Sequence, residues 1–381
     1  MKKIKAGVIG VGFIGMAHVE ALKRLPFVKV EAIADDASVI KSKAEQTGID
    51  KYYSDYKQII ADPEIDCIHI CTPNNFHYKM SKEALLAGKH VICEKPLTTN
   101  KRDAEELVEL AREKNLVNAT NFNIRFYPLM HELKHAISNG DLGEIFTVHG
   151  GFLQDWLFYP TDYNWRLESE LSGDSRAVAD IGSHWMDLTE FVTGLKIKEV
   201  MADFATFHPI RKKPLKPVET FSGKLLKPTD YKDINVPTED YATILIRFDN
   251  GSRGNFMVSQ VFAGKKCDVK LEIAGSKKAA SWMSERPNEL WYGYRDKPNE
   301  ILLRDPSLMS EDSRRIVSFP GGHNEGFPDT FKQLFTKIYN KIAGYTGVEE
   351  FPTFEAGLRE ITLCEKIVES SRSNSWVKIE D

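Results

Sequence analysis

The sequence predicts two domains of different class. Residues 1–122 read as an α/β domain on a doubly wound parallel sheet, and residues 123–381 as an α+β domain with a large open, mostly antiparallel sheet. Three observations carry this. Strand-like and helical patterns alternate in βαβ order through residue 120. A glycine cluster joins the first strand to the first helix. Beyond residue 121, strand-like runs follow one another with turn signals between them, as in an antiparallel sheet.

Each element follows in order. Lys3–Ile9 is a short apolar run, followed by Gly10-Val11-Gly12-Phe13-Ile14-Gly15 and a helical pattern to Leu22. Gly10 suits the tight turn, Gly12 lets the backbone approach a pyrophosphate, and Gly15 lets helix and strand pack closely. The helix N-terminus adds N–H donors and a partial positive charge for phosphates. This is a dinucleotide-binding Rossmann pattern, with Phe13 and Ile14 inside the cofactor loop. The second strand, Val28–Ala34, ends at Asp35-Asp36, where an acid accepts hydrogen bonds from ribose hydroxyls. Asp36 reads equally as the N-cap of a helix over Ala37–Gln46. An acid at this point repels a 2′-phosphate and no arginine follows it, so NAD is expected rather than NADP, although Lys41 and Lys43 lie nearby.

Further strands are expected at Ile65–Ile70, His90–Cys93 and Val117–Thr120, with helices near Asn75–Leu86 and Asn100–Lys114, each opened by a capping Asn. Thr72-Pro73-Asn74 follows one strand and Glu94-Lys95-Pro96 another. Both are expected at the crevice where open α/β sheets hold ligands. A lysine there offers a fixed positive charge and three donors.

Composition narrows the classes. A net charge of −4 over 381 residues gives no basic excess for a nucleic-acid partner. Five cysteines without paired spacing, three of them (Cys67, Cys71, Cys93) in apolar runs, read as core residues of a reducing compartment rather than disulfides or metal ligands. Met1-Lys2-Lys3 superficially resembles a signal-peptide start, but the fingerprint glycines interrupt any apolar h-region. No apolar run approaches the roughly 18 residues of a spanning helix. A cytoplasmic location without membrane attachment is expected, and no metal site.

In the second region a helix is expected over Tyr127–Asn139. Strands follow at Ile145–Leu153, Glu199–Phe207, Ala242–Phe248, Gly254–Gln260 and Asp268–Ala274, with a hairpin turn at Asp249-Asn250-Gly251. Pro209–Pro237 reads as a long surface loop, and helical patterns return at Asp329–Ala343 and Phe354–Ser370. Asp180-Ile181-Gly182-Ser183-His184 begins a helical pattern running to Gly194, so Asp180 and His184 share one face. Gly182 would cost about 1 kcal/mol in a helix, which suggests a close approach at that turn. The pair reads either as functional or as an N-cap Asp followed by a packed His. Oxidising an alcohol with NAD needs a base, a charge for the developing alkoxide and rigid placement of the carbon. His184 suits the first role near neutral pH and Lys95 the second. Asp180 can hold a neighbouring hydroxyl or orient His184.

These residues resemble the Gfo/Idh/MocA oxidoreductases, over nearly the whole chain. The resemblance rests on the glycine fingerprint, Thr72-Pro73-Asn74, His77, Glu94-Lys95-Pro96, Asn121-Phe122-Asn123-Ile124-Arg125-Phe126, and Asp180 with His184. It implies that Lys95 is the catalytic lysine touching both cofactor and substrate, that His184 is the acid/base and that Asp180 contacts substrate. It adds His77 and Glu94 to the cofactor-binding residues. It also implies a cis Lys95–Pro96 bond, which proline makes accessible, and a homodimer or homotetramer assembled through the C-terminal sheet. Ser175–His184, the Gln154-Asp155-Trp156 run and Gly322–Gly326 are similar to members acting on pyranose rings, levoglucosan dehydrogenases among them. That similarity puts Gln154 and Trp156 in a sugar site, with Asn164, Trp165 and Arg166 near it. Trp156 and Trp165 read equally as core or interface aromatics, and Arg125 either as a substrate residue or as a structural one. The expected activity is NAD-dependent oxidation of a secondary hydroxyl of a sugar, anhydrosugar, glycoside or cyclitol. The alternatives are an NADPH-dependent keto-sugar reductase and a non-catalytic dinucleotide-binding sensor.

Overall fold

The computed structural model describes residues 3–215, 230–347 and 350–380. The chain forms two compact units, one of residues 1–126 with 327–361, the other of residues 127–326 with 362–381.

The first unit is built on six parallel strands, β1 (Ile4–Ile9), β2 (Val28–Ala34), β3 (Tyr52–Tyr53), β4 (Cys67–Ile70), β5 (His90–Cys93) and β6 (Asn118–Thr120), in the order β3-β2-β1-β4-β5-β6. The order reverses between β1 and β4, so the strand ends there open onto the crevice that receives ligands in such sheets. Helices Asn74–Leu86 and Lys101–Glu113 cover one face, burying Met80, Leu85, Leu107 and Val108 against Ile68, Ile70 and Val91. Helix Phe13–Lys23 covers part of the other. The remainder of that face, with Cys67, Ile92 and Ala119, is covered by helix Phe327–Ile342 through Phe331, Leu334, Phe335, Ile338 and Tyr339. Residues 327–361, assigned by sequence to the second domain, therefore pack with the first unit, where their helix shields that apolar surface from water.

Local expectations hold where one residue decides the conformation. Gly10 has φ +84°, and the added Cβ of any other residue there would lie 2.8 Å from the Cys71 carbonyl. A Cβ on Gly15 would lie 1.9 Å from the Gly10 oxygen. The Asn100 side chain caps its helix by accepting from the Asp103 amide, and Lys95–Pro96 is cis. Asp36 departs from expectation. The helix runs Ile40–Thr47 with Val39 at its N-cap, and Asp36 instead accepts from the Ser38 amide at 2.9 Å. An Asx turn captured this carboxylate before the helix began. The helix at Asn74 has Pro73 at its cap and no side-chain capping bond.

Among the described residues, the large sheet of the second unit has nine strands, β7 (Ile145–Leu153), β8 (Ile197–Ala205), β11 (Tyr241–Phe248), β12 (Arg253–Ser259), β13 (Asp268–Gly275), β14 (Ala279–Met283), β15 (Glu289–Gly293), β16 (Glu300–Leu303) and β17 (Val377–Lys378). They are ordered β16-β15-β14-β13-β7-β12-β11-β8-β17, and β7–β12 is a parallel pair among antiparallel ones. Asp249-Asn250-Gly251 makes the β11–β12 turn, with Gly251 at φ +88°. The register puts Ile244, Ile246, Phe256, Val258, Leu271 and Ile273 on a buried face, against which Trp185 of helix Ser183–Thr193 stacks on Phe256 at 4.6 Å. The opposite face holds the His149–Glu272 contact and the ion pairs Lys270–Glu272 and Arg247–Glu199, together with exposed Leu245, Trp291, Ile301 and Leu303.

The segment Pro209–Pro237 is not a loop throughout. β9 (Ile210–Pro214) and β10 (Tyr231–Asn235) form an antiparallel ribbon, while residues 216–229 lie outside the described residues. Arg211, fully buried, anchors the ribbon through the Leu157 carbonyl at 2.8 Å and Asp240 at 2.6 Å. Cys67, Cys71, Cys93 and Cys364 are buried free thiols and Cys267 is exposed. Among the described residues, no helix is long and apolar enough to cross a membrane.

Candidate active site

In the first unit the candidate residues line the C-terminal ends of β1, β2, β4 and β5. The loop Gly10–Gly15 joins β1 to helix Phe13–Lys23, whose first turn carries no acidic residue and whose N-cap, Gly12, makes no side-chain bond. A Cβ at Gly12 would meet nothing within 4 Å, so nothing crowds the backbone at the start of this helix. A helix N-terminus with room beside it suits a pyrophosphate. Phe13 is exposed and Ile14 packs on the core. At the end of β2 the Asp35 carboxylate accepts from the Val11 amide at 2.6 Å and from the Asp36 amide at 2.7 Å. These bonds fix it beside the glycine loop.

Two further candidates turn inward. His77 is fully buried, its Nδ1 2.8 Å from the Pro96 carbonyl and its Nε2 2.8 Å from the Thr72 carbonyl. It ties the loop after β4 to the loop after β5, and burial lowers its pKa. Thr72 and Pro73 form the loop so held, and Asn74, buried, opens the following helix. The Glu94 carboxylate also faces the core. It accepts from Asn121 Nδ2, lies 2.9 Å from His18 Nε2, and accepts from the Lys95 amide at 3.2 Å. His18 Nδ1 lies 2.9 Å from His69 Nδ1, and His69 Nε2 2.9 Å from the Tyr339 hydroxyl. This buried chain of polar groups behind Lys95 was not read from the sequence. Its one signal was His18, a polar residue on the apolar stripe of its helix.

Burial alone would raise the Glu94 pKa. The His18 hydrogen bond, the fields of His18 and Lys95, and the Asn121 bond outweigh it and hold the group at about 2. Glu94 is thus a permanent carboxylate, so His18 Nε2 donates to it. Since the folded pKa lies below the ordinary value of about 4.5, the stabilisation is fully present above pH 4.5 and is lost as pH falls toward 2. Glu94→Gln is expected to remove on the order of 3 kcal/mol at pH 7 and to flatten the stability curve between pH 5 and 2. Urea unfolding across that range checks this; an unchanged slope would refute it.

In the second unit the candidates gather where the parallel strands β7 and β12 end. Gln154 follows β7 and Gln260 follows β12, their segments joined by the Gln154 amide to the Ser259 carbonyl at 2.8 Å and the Leu157 amide to the Gln260 carbonyl at 3.1 Å. Over these ends lies a π-helical turn, Val178–Gly182, running into helix Ser183–Thr193. Single π turns often mark functional sites. A Cβ on Gly182 would sit 3.5 Å from Phe256 and Val258, an ordinary contact rather than the close approach expected. The Asp180 carboxylate accepts from Arg166 Nε at 2.9 Å and from Gln260 Nε2 at 2.9 Å. Arg166 is further held by Asn164 Oδ1, 3.2 Å from Nη1, and its guanidinium lies 4.5 Å over the Trp165 ring. His184, buried, lies one turn on, its ring 6.2 Å from that of Phe152 near the end of β7.

Gln154 Oε1 accepts from the Trp156 indole at 2.6 Å, and Trp156 packs on the cluster Leu157, Leu167 and Val236. Asn164, Arg166, Gln260 and Asp180 thus form one hydrogen-bonded group, with His184 four residues after Asp180, and Gln154 and Trp156 form another. Lys95 and Arg125 belong to the first unit, Arg125 buried in the 3₁₀ turn Asn123–Phe126. The first unit by itself thus offers a glycine loop and a lysine at a strand end, and the second by itself a held carboxylate with a histidine four residues on, groups of the kind a nicotinamide-linked oxidoreductase uses.

Comparison with known proteins agrees. Residues 4–122 match the family model for the oxidoreductase family with NAD-binding Rossmann fold, and residues 130–281 match the GFO/IDH/MocA C-terminal domain. The chain belongs to the Gfo/Idh/MocA oxidoreductase family. It is 30% identical to the uncharacterized oxidoreductase YrbE of Bacillus subtilis, over 85% of this chain and 88% of that protein. It is 27% identical to a levoglucosan dehydrogenase of Pseudarthrobacter phenanthrenivorans, over 100% of this chain and 99% of that one. A levoglucosan dehydrogenase solved in complex with NADH and L-sorbose superposes with a TM-score of 0.89, at 27% identity, over the full length of both chains.

Proposed function

We propose that this chain is an NAD-dependent dehydrogenase oxidising a secondary hydroxyl of a pyranose-type substrate: a sugar, anhydrosugar or glycoside, with cyclitols as the next class. The observation that carries the reading is the Asp180 carboxylate, fixed by Arg166 and Gln260 one turn before His184. A carboxylate so held can accept from a sugar hydroxyl, and the neighbouring imidazole can take the proton of the next one. Bound NAD supplies the hydride acceptor. Lys95 presents an ammonium to the oxygen that becomes negative as its proton leaves, which lowers the energy of that charge. Gln154 and the Trp156 face suit ring hydroxyls and ring C–H groups. The full-length similarity to a levoglucosan dehydrogenase supports a pyranose ring over an open chain.

Asp35 supports NAD over NADP, since its carboxylate stands beside the glycine loop where a 2′-phosphate would meet like charge. The exposed Leu245, Trp291, Ile301 and Leu303 on one sheet face support assembly with a second copy. Trp291→Glu is expected to shift sedimentation toward the monomer, and a monomeric wild type would overturn that assembly. The test of function is reduction of NAD and of NADP, followed at 340 nm, across levoglucosan, aldoses, glycosides and inositols. Oxidation of a ring hydroxyl with NAD is expected. NADP-only activity would remove the Asp35 argument, and dinucleotide binding without turnover of any substrate would favour a sensor.

A further inference from the structure

We propose that Gln260 is a positioning residue whose amide, locked by Arg176, sets the orientation of the Asp180 carboxylate. The inference rests on the reading of Asp180 as the group that meets substrate.

Gln260 is fully buried, and its Nε2 donates to Asp180 Oδ2 at 2.9 Å. Its Oε1 accepts from Arg176 Nη1. A guanidinium carries only donors, so the amide oxygen must face Arg176 and the NH₂ must face Asp180. Without Arg176 the amide could turn over and set its oxygen against a carboxylate. Arg176 is itself 1% exposed and held on every side. Nη2 donates to Asp240 Oδ1 and Nε to Thr238 Oγ1 at 3.3 Å. Asp240 also accepts from Arg211 Nη2 at 2.6 Å and from the Phe207 and His208 amides at 2.8 and 3.0 Å. The adjacent Glu239 accepts from the Arg176 amide at 3.0 Å, the Val178 amide at 2.9 Å and the Ser175 hydroxyl at 2.8 Å. One short segment, Thr238–Asp240, therefore fixes both the start of the π turn that carries Asp180 and the arginine that orders Gln260.

This arrangement exceeds what packing needs. The Arg211–Asp240 pair already neutralises the buried aspartate, and any acceptor at position 260 would satisfy Arg176 Nη1. What the amide adds is a donor of fixed direction toward Asp180 Oδ2.

The experiment compares Asp180→Asn, Gln260→Leu, Gln260→Glu and Arg176→Lys, using the sugar oxidised fastest in the screen above. Gln260→Leu is expected to lower kcat/KM for the sugar by roughly 10- to 100-fold, the loss of one hydrogen bond to a charged group. Its Kd for NAD should stay within about twofold, while its Tm falls, because Arg176 Nη1 loses a buried partner. Gln260→Glu sets two carboxylates within hydrogen-bond distance, so they share a proton. Its kcat/KM should fall as pH rises through that shared ionisation, a limb absent from wild type and from Gln260→Leu. Arg176→Lys keeps the charge but not the fork. Adding Gln260→Leu to it should cause no further loss, because both act on the same amide. If Asp180→Asn is impaired while Gln260→Leu and Gln260→Glu both behave like wild type, the positioning role is wrong and the site reading stands. If Asp180→Asn matches wild type, the site reading itself falls. A Gln260→Leu protein that loses NAD binding and sugar turnover together would mark a structural residue and overturn the proposal. Should either Gln260 variant fail to fold, Arg176→Lys with wild-type kcat/KM would overturn it equally.

Discussion

Lys95→Ala is expected to lower kcat by roughly 10³-fold, the scale seen when a preorganised charge is removed from a developing oxyanion. Lys95 lies two residues beyond β5, and its backbone amide donates to Glu94, a carboxylate anchored by His18 and Asn121. The lysine therefore starts from a rigid base, and little reorganisation accompanies the reaction. Truncation to alanine leaves that base in place, so Tm should hold and the loss should fall on kcat more than on the Kd for NAD. Stopped-flow hydride transfer measures this. A rate within tenfold of wild type would remove Lys95 from the chemistry.

His184→Ala is expected to lower kcat by about 10²- to 10⁴-fold at pH 7, the range of general base catalysis. NAD affinity should be unchanged, because the role proposed for His184 is to take a proton from the substrate and not to hold the dinucleotide. The loss should shrink as pH rises, since hydroxide replaces the missing base. Isothermal calorimetry with NAD and a pH profile of kcat separate the two statements. Full activity in the variant, or lost NAD affinity, would contradict the acid/base role.

Legibility in the sequence followed the range of the deciding interaction. Gly10 and Gly15 were readable because sterics within one loop exclude any Cβ, and Asn100 because a cap acts over three residues. The Asp249–Gly251 turn was readable for the same reason. Asp36 was misplaced because two local uses of one carboxylate competed, and the Asx turn to Ser38 won. Strands β14–β17 went unread: each is five residues or shorter, too short for alternation to stand out. The polar networks were hidden for a different reason. His18 meets Glu94 across 76 positions, His69 meets Tyr339 across 270, and Arg176 meets Gln260 across 84. Nothing within a helical or strand period connects such pairs, so only the fold reveals them.

The return of helix Phe327–Ile342 to the first unit has a bearing on how the protein is made. About 200 residues separate that helix from Phe126, the end of the unit's first stretch. At ordinary translation rates roughly 10–40 s pass before the missing helix emerges. Through that interval the nascent nucleotide-binding unit shows Cys67, Ile92 and Ala119 to water or to a chaperone, while the intervening unit can complete most of its own sheet. The inserted unit thus has the earlier opportunity to fold, and the unit that begins the chain is among the last to be finished.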